Sequence, residues 1–169
     1  MQITLADPTD WAVGEEIVLA PTDYFYQEHE RRFIAAVNSD GTVVTLTQPL
    51  VYRHFGDTFE SQGETFEQMR GEVGLLTRNV KIQGDEESWG VQYGAQIIFA
   101  TPGDHTSDPP NLVARLDNVE VARAGQGARI GHYAIHFHMV GNVTTSYVKN
   151  CAVHTGFNRG VAIHGVTNL

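Results

Sequence analysis

The sequence contains a single cysteine, Cys151, so no disulfide framework can form within it. A lone cysteine in an apolar stretch reads as a small buried hydrophobe. No apolar run approaches the ~20 residues that a membrane-spanning helix needs. The opening residues, Met1 to Asp7, lack a basic segment followed by a long apolar stretch, so no signal peptide is visible. Any secretion signal or anchor is expected outside this stretch. Helical periodicity is equally scarce. No segment repeats apolar residues at i, i+3, i+4 and i+7 over three turns, and the best candidate, Tyr24 to Ile34, is short. A phosphate-binding glycine loop, a serine nucleophile elbow and a cysteine-based metal motif are all missing.

What is present suits a folded chain with a real core: 169 residues, 41% of them apolar. The net charge of −9 is unevenly spread. Residues 1–113 hold 6 Lys+Arg against 18 Asp+Glu, whereas residues 114–169 hold 5 against 2, together with five of the eight histidines. The acidic body argues against nucleic acid as a partner. The basic, histidine-rich end suits an anionic polymer locally. Acidic surface also serves solubility without any partner.

Strand signals are frequent. Glu16 to Ala20 is an apolar run behind Gly14, and Arg32 to Val37 leads through Asn38-Ser39-Asp40-Gly41 into Thr42 to Thr47. Asp-Gly between two β-branched runs predicts a hairpin. Residues 1–56 therefore read as a small antiparallel β element and residues 57–70 as a polar loop leading out of it. From residue 71 to 169 the texture changes to short strands punctuated by Gly and Asn. Three pieces are alike: Asn79-Val80-Lys81-Ile82, Asn118-Val119-Glu120-Val121 and Asn150-Cys151-Ala152-Val153. Each places two apolar residues on one face of a strand. Phe137-His138-Met139-Val140-Gly141-Asn142 also matches Ile163-His164-Gly165-Val166-Thr167-Asn168 at an offset of 26, and pairing His136 with His164 gives 28 instead. Repeats of this length predict stacked coils of a parallel β-helix, each burying its core against the next. Asp85 to Gly94 and Thr101 to Asn111 read as loops inserted between strands. The final residues look like the start of another coil, so further coils of a parent chain are expected as partners.

In Tyr133-Ala134-Ile135-His136-Phe137-His138-Met139, alternation sends Ile135, Phe137 and Met139 to the core and His136 and His138 to the outer face. Stacked strands lie about 4.8 Å apart, so His164 would join them in one patch bordered by His154, Asn158 and Arg159. Four readings stay open. Three imidazoles can hold a divalent metal ion with one open position. They can act as general acid or base near neutral pH. With Arg159 and Asn158 they can bind sugar hydroxyls and carboxylates. Or they can stack along a ladder without any ligand. The acids Asp117 and Glu120 fall on opposite strand faces, a poor pair for glycoside hydrolysis; the remaining acids (Asp85, Glu86, Glu87, Asp104, Asp108) lie in loops. Asn142-Val143-Thr144 is a glycosylation sequon, with Asn142 the candidate acceptor on a surface turn. Asn142 also aligns with Asn168, and an internal asparagine ladder would bar a glycan.

Four ordered blocks, Trp11 to Asp23, Glu72 to Gly84, Gly127 to His138 and Cys151 to Gly165, resemble the G8-domain, parallel β-helix-repeat family of large extracellular proteins, which includes fibrocystin-L and hyaluronan-binding members. The chain departs from the family pattern at His132-Tyr133-Ala134, where relatives have Arg-Tyr-Pro. The resemblance implies an all-β chain, a right-handed parallel β-helix of the pectin-lyase kind with an N-terminal antiparallel element. It implies an extracellular or cell-surface location and binding of an acidic polysaccharide such as hyaluronan. Any catalysis would be that of a polysaccharide hydrolase or lyase; the strand pattern, and not the resemblance, makes His136, His138 and His164 the catalytic candidates and Arg159, Asn158 and His154 the substrate-binding ones. The alternative it implies is a non-catalytic structural or adhesive segment of a cell-surface, ciliary or matrix assembly.

Overall fold

A computed structural model describes residues 1–66, 69–101 and 112–169 of the chain. Residues 102–111, with most of the expected Thr101 to Asn111 loop and the acids Asp104 and Asp108, lie outside the described residues. Among the described residues the chain is all-β, apart from a 3-10 turn at Tyr26–Glu28 and one turn of α-helix, α1 (Ser88–Val91), within the expected Asp85 to Gly94 loop. It divides into two units, Met1–Thr77 and Arg78–Leu169.

The first unit contains β1 (Gln2–Thr4), β2 (Glu16–Leu19), β3 (Glu30–Val37), β4 (Val43–Leu46), β5 (Phe59–Ser61), β6 (Glu64–Phe66) and β7 (Val73–Leu75). Five of these form an antiparallel sheet in the order β1-β4-β3-β2-β7. Period-2 alternation sorts its side chains: Ile17, Leu19, Val44 and Leu46 are buried with Ile34, while Val18 and Thr45 between them stay partly exposed. The predicted Asp40-Gly41 turn joins β3 to β4. Asp40 accepts from the backbone N–H and the hydroxyl of Thr42 at 3.0 and 2.6 Å. Gly41 has φ +77°, and a Cβ there would meet the Thr9 carbonyl at 2.3 Å.

The weak helical signal at Tyr24 to Ile34 gives only a 3-10 turn followed by β3, because its residues lack an apolar stripe while β2 and β4 offer pairing on both sides. One expectation fails in this unit. The 57–70 loop contains a hairpin, β5 to β6. Its turn, Gln62-Gly63, has both residues at positive φ (52° and 83°), the geometry that matches strand twist. The hairpin is fully exposed and polar apart from Phe59 and Phe66, whose rings pair across it at 6.2 Å, so no buried alternation marked it. At the start of β3, Glu30 is buried. It accepts from the backbone N–H groups of Val51 and Tyr52 at 2.9 and 2.8 Å, from the His54 ring and from the Arg32 guanidinium. Burial pulls its pKa upward, but these donors together hold it below the ordinary glutamate value.

The second unit contains β8 (Val80–Gln83), β9 (Ile97–Phe99), β10 (Arg115–Asp117), β11 (Val119–Ala122), β12 (Ile135–Asn142), β13 (Tyr147–Lys149), β14 (Ala152–His154) and β15 (Val161–Thr167). All ladders between these strands are parallel. The sheets run β8-β11-β14, β9-β12-β15 and β10-β13, so the second pass of the chain adds one strand to each sheet and the third adds β14 and β15 to the first two. The three Asn-led pieces stack in register: Val119 pairs with Val80, and Glu120 with Lys81 and Ala152. Asn118 and Asn150 adopt the left-handed conformation (φ 58° and 54°) at the corners between β10 and β11 and between β13 and β14, a geometry asparagine tolerates well. Cys151 is partly buried against the core, as its place in the repeat predicts.

Val119, Val121, Ile135, Phe137, Val140 and Val143 centre that core. Phe137 lies beside Phe99 on the neighbouring strand, ring centroids 4.7 Å apart, and burial of such a ring contributes about 1.5–3 kcal/mol. Met139 does not follow the predicted alternation. It has φ +50° and stays partly exposed, and Val140 takes the core position instead. The cause is a bulge: β12 pairs with β15 at an offset of 26 through His138 and His164, then at 25 from Gly141 and Val166 onward.

Gly94 tests the packing of this unit. A Cβ there would lie 1.7 Å from the Arg123 carbonyl oxygen, whereas a Cβ at Gly90 in α1 would meet nothing within 4 Å. Gly94→Ala is expected to cost about 1–3 kcal/mol or more in urea denaturation. Gly90→Ala is expected to be neutral or to stabilise by up to ~1 kcal/mol. Equal effects of the two substitutions would contradict the packing described.

Candidate functional site

The sequence Ile135-His136-Phe137-His138 folds as a strand whose alternate residues part cleanly. Ile135 and Phe137 enter the core and the two histidines take the other face. The offset of 26 sets His138 beside His164, while His136 stands beside Ala162. Ring centroids are 5.0 Å apart for His136 and His138, and 5.3 Å for His138 and His164. The Nδ1 atoms of His138 and His164 are 3.4 Å apart. One ligand nitrogen from each of the three rings can be chosen so that all lie within 4.8 Å of one another.

His136 departs from the expectation of an open outer position. It is only 4% exposed, because Gly131 and Tyr133 close over it. Its Nδ1 is 3.0 Å from the Gly131 carbonyl oxygen, and Tyr133 packs edge-on at 5.0 Å. Burial holds its pKa below the ordinary histidine value; the Gly131 carbonyl pulls the other way, and His138 and His164 add to the lowering. The ring is therefore neutral at pH 7, and the carbonyl fixes its tautomer by accepting the Nδ1 proton. Its Nε2 then carries a lone pair, is buried, and has no hydrogen-bond partner among the described residues. An unmade hydrogen bond at a buried polar atom costs about 1–3 kcal/mol.

The three rings line a groove of about 690 Å³ that also includes Tyr133, Ile130 and Arg159. Ile130 is almost fully exposed at its rim. The Arg159 guanidinium is exposed and sits over the Tyr133 ring, 5.4 Å from its centroid. This contact orients a cation at the groove edge.

The remaining candidates separate. Asn158 donates through Nδ2 to the carbonyls of Gln126 and Arg129 at 2.8 and 2.9 Å, and its Oδ1 accepts from the Arg159 backbone N–H. It clamps the loop that covers His136, and it lines a neighbouring shallow groove instead of the histidine groove. His154 lies on β14, in a different sheet. Its ring bonds Glu120 at 3.0 Å and Thr155 at 2.7 Å, so it does not border the three-histidine patch. Asp85 caps Ser88 and Glu86 pairs with Arg123, which gives two of the loop acids structural partners. Asp117 is engaged with Asn150 and Lys149. Asn142 is exposed at the end of β12. Its Oδ1 accepts from the Thr144 hydroxyl and from Asn168 Nδ2, so the asparagine pair forms on the surface.

One polar cluster went unread in the sequence. Glu120 is buried on β11 and receives Lys81 Nζ at 2.5 Å, His154 Nε2 at 3.0 Å and the Arg78 backbone N–H at 3.3 Å. The signal was present: Lys81 and Glu120 occupy the same position of the Asn-led repeat, one strand apart. Burial acts to raise the Glu120 pKa, but Lys81, Arg78 and His154 outweigh it, and the net shift is downward.

Residues 92–169 match the family described as CEMIP beta-helix. Fibrocystin-L of Mus musculus is 33% identical over 202 aligned positions, which cover 99% of this chain and 5% of fibrocystin-L. The cell surface hyaluronidase CEMIP2 of Homo sapiens is 31% identical, covering 98% of this chain and 12% of that protein. The cell migration-inducing and hyaluronan-binding protein of Mus musculus is 31% identical, covering 94% of this chain and 12% of that protein. The chain thus spans a small fraction of the length of the relatives it matches.

The Glu120 cluster predicts a pH dependence. A carboxylate whose folded pKa is depressed adds stability above its unfolded value, about 4.3, and that stability is lost as pH falls through the folded value. Glu120→Gln is expected to cost roughly 1–3 kcal/mol at pH 7 and to flatten the loss of stability on acidification. Parallel stability profiles for the two proteins below about pH 4.3 would contradict this role.

Proposed function

The chain belongs to the family of G8-domain and CEMIP beta-helix proteins, and on that premise we propose that it is a segment of an extracellular or cell-surface protein that binds an acidic polysaccharide of the hyaluronan class. In this reading residues beyond the N-terminal antiparallel element wind as a right-handed parallel β-helix. The three parallel sheets, which stack strands from successive passes of the chain, support it. No helix among the described residues is long and apolar enough to cross a membrane.

The observation that carries the binding reading is the groove that sets Arg159 beside three imidazoles. Hyaluronan alternates sugar carboxylates with hydroxyl-rich faces. A guanidinium fork bonds a carboxylate in a charge-assisted, two-point manner, and Tyr133 holds that fork from below. The exposed edges of His138 and His164 offer donors and acceptors to hydroxyls. Ile130, almost fully exposed at the rim, supplies apolar surface on which the C–H face of a sugar ring can lie. One relative is named hyaluronan-binding and another a hyaluronidase, which makes that polymer the first ligand to test.

Immobilised hyaluronan oligosaccharides are expected to capture the chain, with affinity falling as salt rises. Charge-assisted hydrogen bonds contribute about 1.5–3 kcal/mol, so Arg159→Ala is expected to weaken binding by about tenfold to a hundredfold, with melting temperature unchanged. Capture of neither hyaluronan nor another acidic polysaccharide, or equal binding by Arg159→Ala, would overturn this reading. It would leave the segment a structural or adhesive one.

A further inference from the structure

We infer that His136, His138 and His164 form a binding site for one divalent transition metal ion. Three independent features lead there. The first is convergence: one ligand nitrogen from each ring falls within a 4.8 Å circle, although the residues come from two strands and are 26 positions apart. The second is the buried Nε2 of His136, a nitrogen with no hydrogen-bond partner among the described residues, on a ring that lines the same groove as the other two. Its opposite nitrogen is bonded to the Gly131 carbonyl, the arrangement by which metal-ligating histidines are held in one tautomer and one orientation. The third is spacing. Tetrahedral coordination with metal–nitrogen bonds of 2.0–2.1 Å separates neighbouring ligand atoms by about 3.3–3.4 Å. The Nδ1 atoms of His138 and His164 are 3.4 Å apart.

The donor set selects the class of ion. Three imidazoles, with no carboxylate within the cluster, suit zinc, copper, nickel or cobalt and disfavour calcium or magnesium, which take oxygen ligands. A metal ion would replace the His138–His164 hydrogen bond with two coordinate bonds. It would also give the buried His136 nitrogen a partner. His138 is partly exposed and His164 exposed, so the fourth position of a tetrahedral ion opens towards the groove. The inference does not depend on polysaccharide binding, since it concerns the ion alone.

The test is calorimetric titration of the chelator-treated, dialysed chain with zinc chloride, and separately the visible spectrum of its cobalt(II) form. Binding of one zinc per chain is expected, together with the intense visible bands of tetrahedral cobalt. His164→Ala removes an exposed ligand without touching the core, and it is expected to weaken zinc binding by about tenfold or more and to abolish those bands. His29→Ala, an exposed histidine outside the cluster, is expected to leave both unchanged. No zinc binding by the unaltered chain would overturn the site. So would zinc binding that His164→Ala leaves intact. Neither result bears on the Arg159→Ala comparison with hyaluronan.

Discussion

Parallel pairing sets each side chain directly alongside its partner on the next strand, and in this chain the pairing of His138 with His164 is the constraint on which the candidate site depends. The same register places Phe137 between Phe99 and Ile163 on the opposite face. Core and site are therefore two faces of one alignment. A slip of a single residue would exchange them, sending imidazoles into the apolar interior and a phenyl ring to the surface. The buried Phe137 ring thus enforces the histidine geometry, and the bulge after His138 ends the aligned segment just beyond the last ligand candidate.

The loop that covers His136 adds a second constraint. Asn158 ties it down through two carbonyls, and Gly131 supplies the oxygen that orients the ring. The outcome is locally unfavourable, a buried nitrogen with no partner. Folded chains break local rules mainly where function requires it. Here the rule is broken beside an exposed arginine, at the basic end of an otherwise acidic chain. A metal ion in the histidine cluster would add positive charge to the same face, beside Arg159.

Much of this was legible in the sequence, for a definable reason. Stacked strands repeat their pattern, so the three Asn-led pieces and the 26-residue match of Phe137-His138 to Ile163-His164 carried real positional information. The Asp40-Gly41 hairpin was legible because its turn chemistry is local. What escaped depended on non-local or non-periodic features. The burial of His136 comes from residues 126–133, which have no periodicity to read. Met139 left the alternation through a single positive φ. The 59–66 hairpin is exposed on both faces, so hydrophobic patterning could not mark it. His154 was grouped with the other histidines by nearness in sequence, yet its sheet turns it to Glu120.

The register between β12 and β15 is the most direct test of the account. In a uniformly labelled sample, nuclear Overhauser contacts between the backbones of Phe137 and Ile163, and of His138 and His164, would establish the offset of 26 described here. Contacts linking His136 to His164 would show the offset of 28 instead, and would separate His138 from the partner that the whole site requires.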